Sequence, residues 1–239
     1  MSYFPATRAA LARHGRLDVF FRDDDAGWGD DRLLALCDVF ADRGVPLDLA
    51  VIPASCSRDL AQTLLRHRAD LSFHQHGFAH VNHQEKGRKS EFGDERLLSD
   101  VTRDIVEGRR ILVERFGDRV QPIFTPPWNR CRRDIAAALL ICDLTVLSRD
   151  RTAAGLEQPE IMELPISVDV VKIRDELDAA IAAALTSHPR GRPFGFMLHH
   201  AVHDAFDRTL IGALLDFLLS VSSVQLTSMG GALSGSVAA

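Results

Sequence analysis

Histidines are concentrated in one short stretch of the sequence. Four of the ten histidines lie between Ser72 and His83. They follow a short apolar run, Leu71–Phe73, that predicts the end of a buried strand. His76 and His80 are four residues apart, which places them side by side on a helical turn, so we expect the two imidazoles to bind one metal ion. His83 would extend the same face. Such pairs also occur on ordinary exposed helices, so the spacing alone does not establish a metal site.

A run of three carboxylates follows the first predicted strand, Leu17–Phe21. The side chains of Asp23–Asp25 repel one another, and burying them at the end of a strand is costly unless a cation or paired donors offset the charge. The alternative is a solvated turn that caps the next helix through Asp30 or Asp31. Such a turn explains the two capping acids but leaves the run of three without a role.

Polar groups also follow two later strands. Pro126 and Pro127 remove two backbone donors in succession, so the next free N–H belongs to Trp128 and could donate to an oxyanion; the alternative is that this ring only packs. The apolar run Phe194–Leu198 delivers His199 to its carboxyl end, where proton transfer and a structural role are both open.

The order of predicted elements determines the expected fold. Strands alternate with helices along the chain, which is typical of an α/β fold with a mainly parallel sheet. Seven or eight such units favour a distorted (β/α) barrel in a single domain, residues 1–229, with a flexible tail at residues 230–239. In barrels of this kind the reactive groups collect at the carboxyl ends of the strands. We therefore expect the acids, the histidines and Trp128 to meet at one rim.

Composition narrows the class of protein. The 239 residues carry a formal net charge of -5, which gives no indication of a nucleic-acid surface. The four cysteines stand singly, as expected for core residues in a reducing compartment. Residues 1–16 lack the apolar core of a secretory signal, and no later segment predicts a membrane span. We expect a cytoplasmic protein with a small-molecule or saccharide substrate, and the oligomeric state stays open.

The four clusters, in this order between Leu17 and His200, resemble the polysaccharide deacetylase family, also called carbohydrate esterase family 4. In that family an Asp pair supplies a base and a metal ligand, a His-x-x-x-His motif supplies two more ligands, a Pro-containing loop forms the oxyanion site, and a strand end supplies an acidic histidine. The resemblance therefore implies that Asp24 is the base and His199 the acid. It also implies that the metal is held by Asp25, His76 and His80, and that Trp128 is the oxyanion donor.

The sequence departs from the family pattern at several of these positions. Thr125 stands where the family usually has an arginine that steadies the base, and Trp128 stands for a tyrosine. Gly77 replaces a hydroxyl residue, and the additional Asp23 leaves open whether it or Asp24 is the base. These departures make a small acylated sugar or another amide a better expectation than a chitin-like polymer.

The implied activity is a metal-dependent hydrolase that removes an acyl group, most simply acetyl, through a metal-activated water. Zinc suits two histidines and one aspartate, and manganese, cobalt and iron are alternatives. Two other functions are open. One is a non-catalytic metal-binding protein that lost its activity with the arginine. The other is a haloacid dehalogenase-type phosphatase, indicated by Asp23-x-Asp25, which would require a nearby lysine and gives the histidines no role.

Overall fold

Parallel strands form the frame of the protein. The computed structural model describes residues 4–170, 174 and 176–236, and in it the strands form one sheet that curls into a half-barrel. The predicted α/β class and the distorted barrel of mainly parallel strands are confirmed. The described strands are β1 (Leu17–Ala26), β2 (Leu47–Val51), β3 (Leu71–His76), β4 (Val120–Thr125), β5 (Val146–Leu147), β6 (Met162–Glu163), β7 (Val168–Asp169), β8 (Phe194–Leu198) and β9 (Val224–Leu226).

Helices cover the outer face of this sheet. The apolar faces of most of them pack on the outward side chains of the strands, whereas α8 packs inside the barrel. The described helices are α1 (Pro5–Leu11), α2 (Asp30–Ala41), α3 (Arg58–Arg66), α4 (Leu98–Phe116), α5 (Ala136–Ile141), α6 (Leu177–Thr186), α7 (Ala205–Leu219) and α8 (Met229–Ser236).

β1 lies at the centre of the sheet. The strand order is β6-β5-β4-β3-β2-β1-β8-β7, and β9 pairs with the first part of β1. Asp23 on β1 lies opposite Leu49 on β2 and Leu198 on β8, while His76 on β3 lies opposite Thr125 on β4. The carboxyl ends of four strands therefore meet at one rim, as expected for a barrel.

Side chains alternate between two apolar layers along β1. Val19 and Phe21 belong to the layer beneath the helices, whereas Phe20 belongs to the barrel interior with Ile123 and Met197. Successive side chains of a strand point to opposite faces. The same alternation sends the side chains of Arg22 and Asp24 into the barrel.

The chain end differs from the flexible tail predicted from Gly230 onward. Residues Met229–Ser236 form α8, and residues 237–239 lie outside the described residues. Met229 and Ala232 are buried in the interior layer next to Phe20. The small side chains that indicated flexibility allow this helix to enter the barrel, where apolar contact stabilises it.

Among the described residues, no helix combines the length and apolar character that crossing a bilayer requires.

A buried acid beneath the barrel gives a test of this packing. Asp48 accepts hydrogen bonds from the Ser72 hydroxyl and, at 2.8 Å, from the Met229 N–H at the start of α8. Burial outweighs these bonds and raises the pKa of Asp48 from 3.8 to about 7. The folded state therefore favours the neutral acid, so stability is highest at low pH and falls as the pH rises through that interval.

Asp48→Asn should remove this loss while keeping an acceptor for Met229. The difference in unfolding free energy between this variant and wild type, measured by urea unfolding, should be up to about 3 kcal/mol larger in favour of the variant at about pH 8 than at about pH 5. One pKa unit corresponds to about 1.4 kcal/mol. The same difference from wild type at both pH values would contradict this account of Asp48.

Candidate metal centre and active site

Three of the predicted metal ligands come together at the rim. Asp25 Oδ1 lies 3.2 Å from His76 Nε2 and 3.3 Å from His80 Nε2. One potential ligand atom of each residue lies within 4.8 Å of the other two. His83, the third histidine of the predicted helical face, is exposed and lies outside this cluster.

The helical turn predicted for His76 and His80 is wrong. His76 is the last residue of β3, and His80 lies in the loop that follows. Gly77 with φ of 59° and His80 with φ of 57° are both left-handed, and these turns bring the second imidazole back over the first. The four-residue spacing thus works through a tight loop after a strand.

The backbone of β1 also changes direction to form this cluster. The acids do not follow the strand, as predicted, but lie within it, since β1 continues to Ala26. A bulge between Asp23 and Ala26 interrupts the pairing with β2, and Asp25 has a left-handed φ of 72°. Regular alternation would point Asp25 outward with Asp23. A bulge redirects a side chain, and here it turns Asp25 toward the histidines.

A buried glutamate fixes the histidine loop. Glu91 accepts hydrogen bonds from the Phe78 N–H at 3.2 Å and the Ala79 N–H at 2.7 Å. The segment Gln84–Gly93 is polar, yet it is buried near its end, where Glu91 is 1 % exposed. No periodic pattern marks this residue, because its role depends on backbone donors that only the folded loop presents.

The protonation of the cluster fits a divalent cation. His76 Nδ1 donates to the Thr125 carbonyl at 3.0 Å, and Nε2 faces Asp25 Oδ1 at 3.2 Å. Burial lowers the pKa of His76, but the Asp24 carboxylate and the hydrogen bond to Asp25 outweigh it and raise that pKa, so without an ion Nε2 carries a proton that Asp25 accepts. Loss of that proton would free the Nε2 lone pair for a cation, while Nδ1 stays bonded to the carbonyl. Burial opposes ionisation of Asp25, but the hydrogen bond and charge of His76 outweigh it and lower its pKa. Burial, with the charge of His76, lowers the pKa of His80 to about 4, so its imidazole is neutral near pH 7. Two directed imidazoles and one carboxylate are a donor set typical of zinc.

Asp24 projects into the barrel beside this cluster. Its carboxylate receives two hydrogen bonds from Arg22, Nε to Oδ1 at 2.7 Å and Nη2 to Oδ2 at 3.0 Å. Burial opposes ionisation of Asp24, but the charges of Arg22, His76 and His199 outweigh it and lower its pKa. Asp24 is therefore a carboxylate beside both the cluster and His199.

Asp23 has a different partner, which separates it from Asp24. It faces the outer side of the sheet, where His200 Nδ1 lies 2.5 Å from its Oδ2 and the His200 backbone N–H donates to Oδ1 at 3.0 Å. Both side chains are 0 % exposed. Burial lowers the pKa of His200, but the Asp23 carboxylate outweighs it and raises that pKa to about 9. Asp23 thus holds a charged imidazolium and has no access to a substrate.

This pairing also bears on the phosphatase alternative. That reaction requires the first acid of Asp23-x-Asp25 as an exposed nucleophile with a lysine nearby, and Asp23 is instead buried against His200. Lys86 and Lys89 lie on the loop after β3, and Lys172 lies outside the described residues. The site does not fit a phosphatase.

His199 occupies the rim opposite the histidine loop. It directly follows β8, and its side chain is 26 % exposed. Its Nδ1 lies 3.9 Å from Asp169 Oδ1 at the end of β7. Asp169 was not identified from the sequence. It is an acid at the carboxyl end of a short apolar segment, so a search for polar residues at strand ends would have found it. His203 is buried behind His200, away from the cluster.

Two tryptophans flank the second histidine. The Trp128 ring centroid lies 4.5 Å from that of His80, and the Trp28 centroid lies 4.7 Å from it. Trp128 has a left-handed φ of 56° in the turn after Pro127. Within the part of the chain that the structure describes, the Trp128 N–H has no backbone or side-chain acceptor. Both the packing role and the donor role weighed from the sequence are therefore compatible with its position.

Comparison with known proteins identifies the fold. No protein-family model matches the sequence, and no curated protein is significantly similar to it. A family 4 carbohydrate esterase from Streptomyces lividans, solved with acetate, is 14 % identical with a TM-score of 0.57, and the match covers 88 % of this chain and 90 % of that one. A peptidoglycan deacetylase from Bacillus subtilis is 11 % identical with a TM-score of 0.61, covering 94 % and 93 %.

A third similar structure is a mutant of a family 4 carbohydrate esterase pseudoenzyme with restored enzymatic activity. It is 11 % identical with a TM-score of 0.62, and the match covers 91 % of this chain and 68 % of that one. The resemblance found in the sequence is thus confirmed in the fold, which is that of the polysaccharide deacetylases. At these identities the likeness concerns the fold, and the activity has to be argued from the site.

The turn after His76 should tolerate only glycine. A Cβ added at Gly77 would lie 2.2 Å from Glu91 Oε2 and 2.6 Å from Pro127 Cδ, whereas one at Gly87, which also has a positive φ, meets nothing within 4 Å. Gly87→Ala should cost about 1 kcal/mol of unfolding free energy through backbone strain. Gly77→Ala should cost about 1–3 kcal/mol more because it also displaces neighbours. Urea unfolding of both variants measures this, and equal losses would contradict the close packing at Gly77.

Proposed function

We propose that the protein is a metal-dependent deacylase that removes an acyl group, most simply acetyl, from a sugar or a related small amide. The observation that carries this proposal is the set of complementary groups at one rim of a deacetylase fold. Asp25, His76 and His80 form a metal-ligand cluster, and a carboxylate and a partly exposed histidine lie beside it.

Asp25, His76 Nε2 and His80 Nε2 would hold the ion. When bound, a divalent cation supplies a Lewis acid that lowers the pKa of water and polarises an acyl carbonyl. Zinc is the ion that best suits this donor set, and manganese, cobalt and iron remain alternatives. The Thr125 carbonyl keeps His76 in the required tautomer, so the ligand is oriented before any ion arrives.

Asp24 is the proposed general base. Its carboxylate is ionised and faces the cluster, so it can accept the proton of the attacking water as the new bond to the acyl carbon forms. Asp23 cannot take this role because His200 occupies it on the other side of the sheet. These contacts support Asp24 rather than Asp23 as the base.

His199 is the proposed general acid. Its imidazole is partly exposed at the rim, and its Nδ1 lies 3.9 Å from Asp169 Oδ1, a contact that orients the ring. It would donate a proton to the leaving nitrogen or oxygen as the acyl bond breaks. His200 is unsuited to this step because Asp23 and the Trp28 carbonyl, 2.6 Å from Nε2, engage both of its ring nitrogens.

Trp128 is the proposed oxyanion donor. Its N–H, for which the described residues offer no acceptor, follows two prolines in a stiff turn, so it is preorganised to donate to the acyl oxygen as negative charge develops there. A cavity of about 690 Å³ lies beside Trp128, Asn129 and Arg130. Its lining includes neither the metal cluster nor Asp24 or His199, so it would receive the part of a substrate remote from the acyl group. The exposed edge of Trp28, 39 % exposed, offers a second aromatic surface for a sugar ring.

Elemental analysis combined with a substrate screen tests the proposal. Purified protein should contain one divalent ion, lost in His76→Ala and His80→Ala, and the loaded protein should release acetate from some N- or O-acetylated sugars or small amides. Full metal content in both variants would refute the ligand assignment. A metal-loaded protein that turns over no acyl substrate would favour the non-catalytic alternative.

The two adjacent acids should separate metal binding from rate. Asp25→Asn should weaken metal binding because it removes a ligand. Asp24→Asn should keep the metal and lower kcat by about 10²- to 10⁴-fold, the usual contribution of a general base. Metal content and kcat measured on both variants check this. Loss of metal in Asp24→Asn, with Asp25→Asn fully loaded, would reverse the two roles.

The two adjacent histidines should differ in kind. His199→Ala should keep metal and fold but lose more rate on an amide than on an activated aryl ester, because a good leaving group needs little protonation. His200→Ala leaves Asp23 buried without its partner and should cost about 3–5 kcal/mol of stability. Rates on both substrates and urea unfolding distinguish them. Equal losses of His199→Ala on amide and ester would show that the acid lies elsewhere.

A further inference from the structure

One arginine of the site is unexplained by the roles assigned above. Arg22 lies two residues before Asp24 on β1, so strand alternation points both side chains into the barrel. Its side chain is 0 % exposed. The guanidinium donates from Nε and Nη2 to the two carboxylate oxygens of Asp24, at 2.7 and 3.0 Å.

We infer that Arg22 is a positioning residue that holds the Asp24 carboxylate in the orientation required of the base, in place of the arginine that the resemblance expects at position 125. The inference rests on the proposed function and deepens it. The resemblance places this arginine at the end of β4, whereas here the guanidinium comes from β1 and pairs with the proposed base.

The surroundings of Arg22 restrict it to one orientation. Nη1 donates to the Ser148 carbonyl at 3.1 Å and to the Ser148 hydroxyl at 2.8 Å, and Nη2 also reaches Asn129 Oδ1 at 3.4 Å. The Ser148 hydroxyl in turn donates to the Leu164 carbonyl at 2.7 Å. A planar guanidinium fixed on its far side by these acceptors presents its other edge to Asp24 as a rigid fork.

Thr125 is too short to take this role and has another partner. It is fully buried, and its hydroxyl lies 3.1 Å from His74 Nε2. Strand alternation places His74, two residues before His76 on β3, and Thr125, two residues after the interior Ile123 on β4, on the barrel side of the sheet with the guanidinium. An arginine at position 125 would compete with Arg22 for that space. One arginine, from either strand, is what the interior accommodates.

A purely structural explanation is that Asp24 needs a cation only to be buried. Both explanations predict a loss of stability when Arg22 is removed. They differ in the reaction, because a misplaced base slows the chemical step while substrate and metal still bind, and a displacement of about 1 Å can cost about 10²-fold. They also differ in whether a guanidinium from another position restores the rate.

The experiment compares Arg22→Met, Arg22→Lys and the reciprocal double variant Arg22→Thr with Thr125→Arg. Arg43→Met is the matched control, since Arg43 binds Asp216 between α2 and α7 with the same distances, 2.7 Å from Nε and 3.0 Å from Nη2. For each, kcat, KM and metal content are measured, and crystal structures show the orientation of Asp24.

Arg22→Met should lower kcat about 10²-fold with KM and metal content little changed and with Asp24 rotated or in several orientations. Arg22→Lys should fall between it and wild type, because an ammonium keeps the charge but loses the fork. The double variant should recover at least tenfold of the loss. Arg43→Met should lose stability without a loss of kcat.

Several results would overturn the inference. They are an Asp24 that stays in place in Arg22→Met, a kcat loss that only tracks lost metal, and an equal kcat loss in Arg43→Met. If Arg22→Met does not fold, Arg22→Lys with wild-type kcat and a fixed Asp24 would overturn it equally. A wild-type protein inactive on every acyl substrate would refute the proposed function, whereas the orientation of Asp24 in the variants still decides whether Arg22 holds it.

Discussion

The alternation of side chains along β1 is the constraint on which the site depends. Consecutive residues of a strand face opposite sides of a sheet, so Arg22 and Asp24 enter the barrel while Asp23 faces the helices. The bulge before Ala26 and the left-handed φ of Asp25 then break the alternation at one residue. Three consecutive carboxylates thereby reach three different environments, which the sequence shows only as a run of like charges.

The separation of the acids also resolves their electrostatics. Three adjacent buried carboxylates would be strongly destabilising if they shared one environment. Instead each has its own cation or imidazole: His200 for Asp23, Arg22 for Asp24, and His76 with His80 for Asp25. Only the last pairing leaves a carboxylate between two imidazoles whose lone pairs can converge on an ion. This is the physical reason for placing the metal at Asp25.

The sequence predicted the fold and the set of residues at the rim better than it predicted their geometry. The apolar run Phe194–Leu198 located β8 with its observed bounds, and the parallel order followed from alternating elements. The helical turn for His76 and His80 failed because spacing alone cannot distinguish a helix from a strand followed by a left-handed turn. Glu91 and α8 were missed because their roles depend on backbone donors and on an interior that form only after folding.

Position 125 shows how a motif can mislead when it is compared residue by residue. The threonine there made loss of activity a reasonable alternative, and a pseudoenzyme is among the proteins with a similar fold. What the proposed base requires is a guanidinium beside it, however, and in this protein β1 supplies one where the family pattern places it at the end of β4. Arg22 reaches Asp24 from β1, so the missing arginine at position 125 is no longer a reason to expect an inactive protein. Activity in this fold is therefore better inferred from the contacts of the base than from the residue at one motif position.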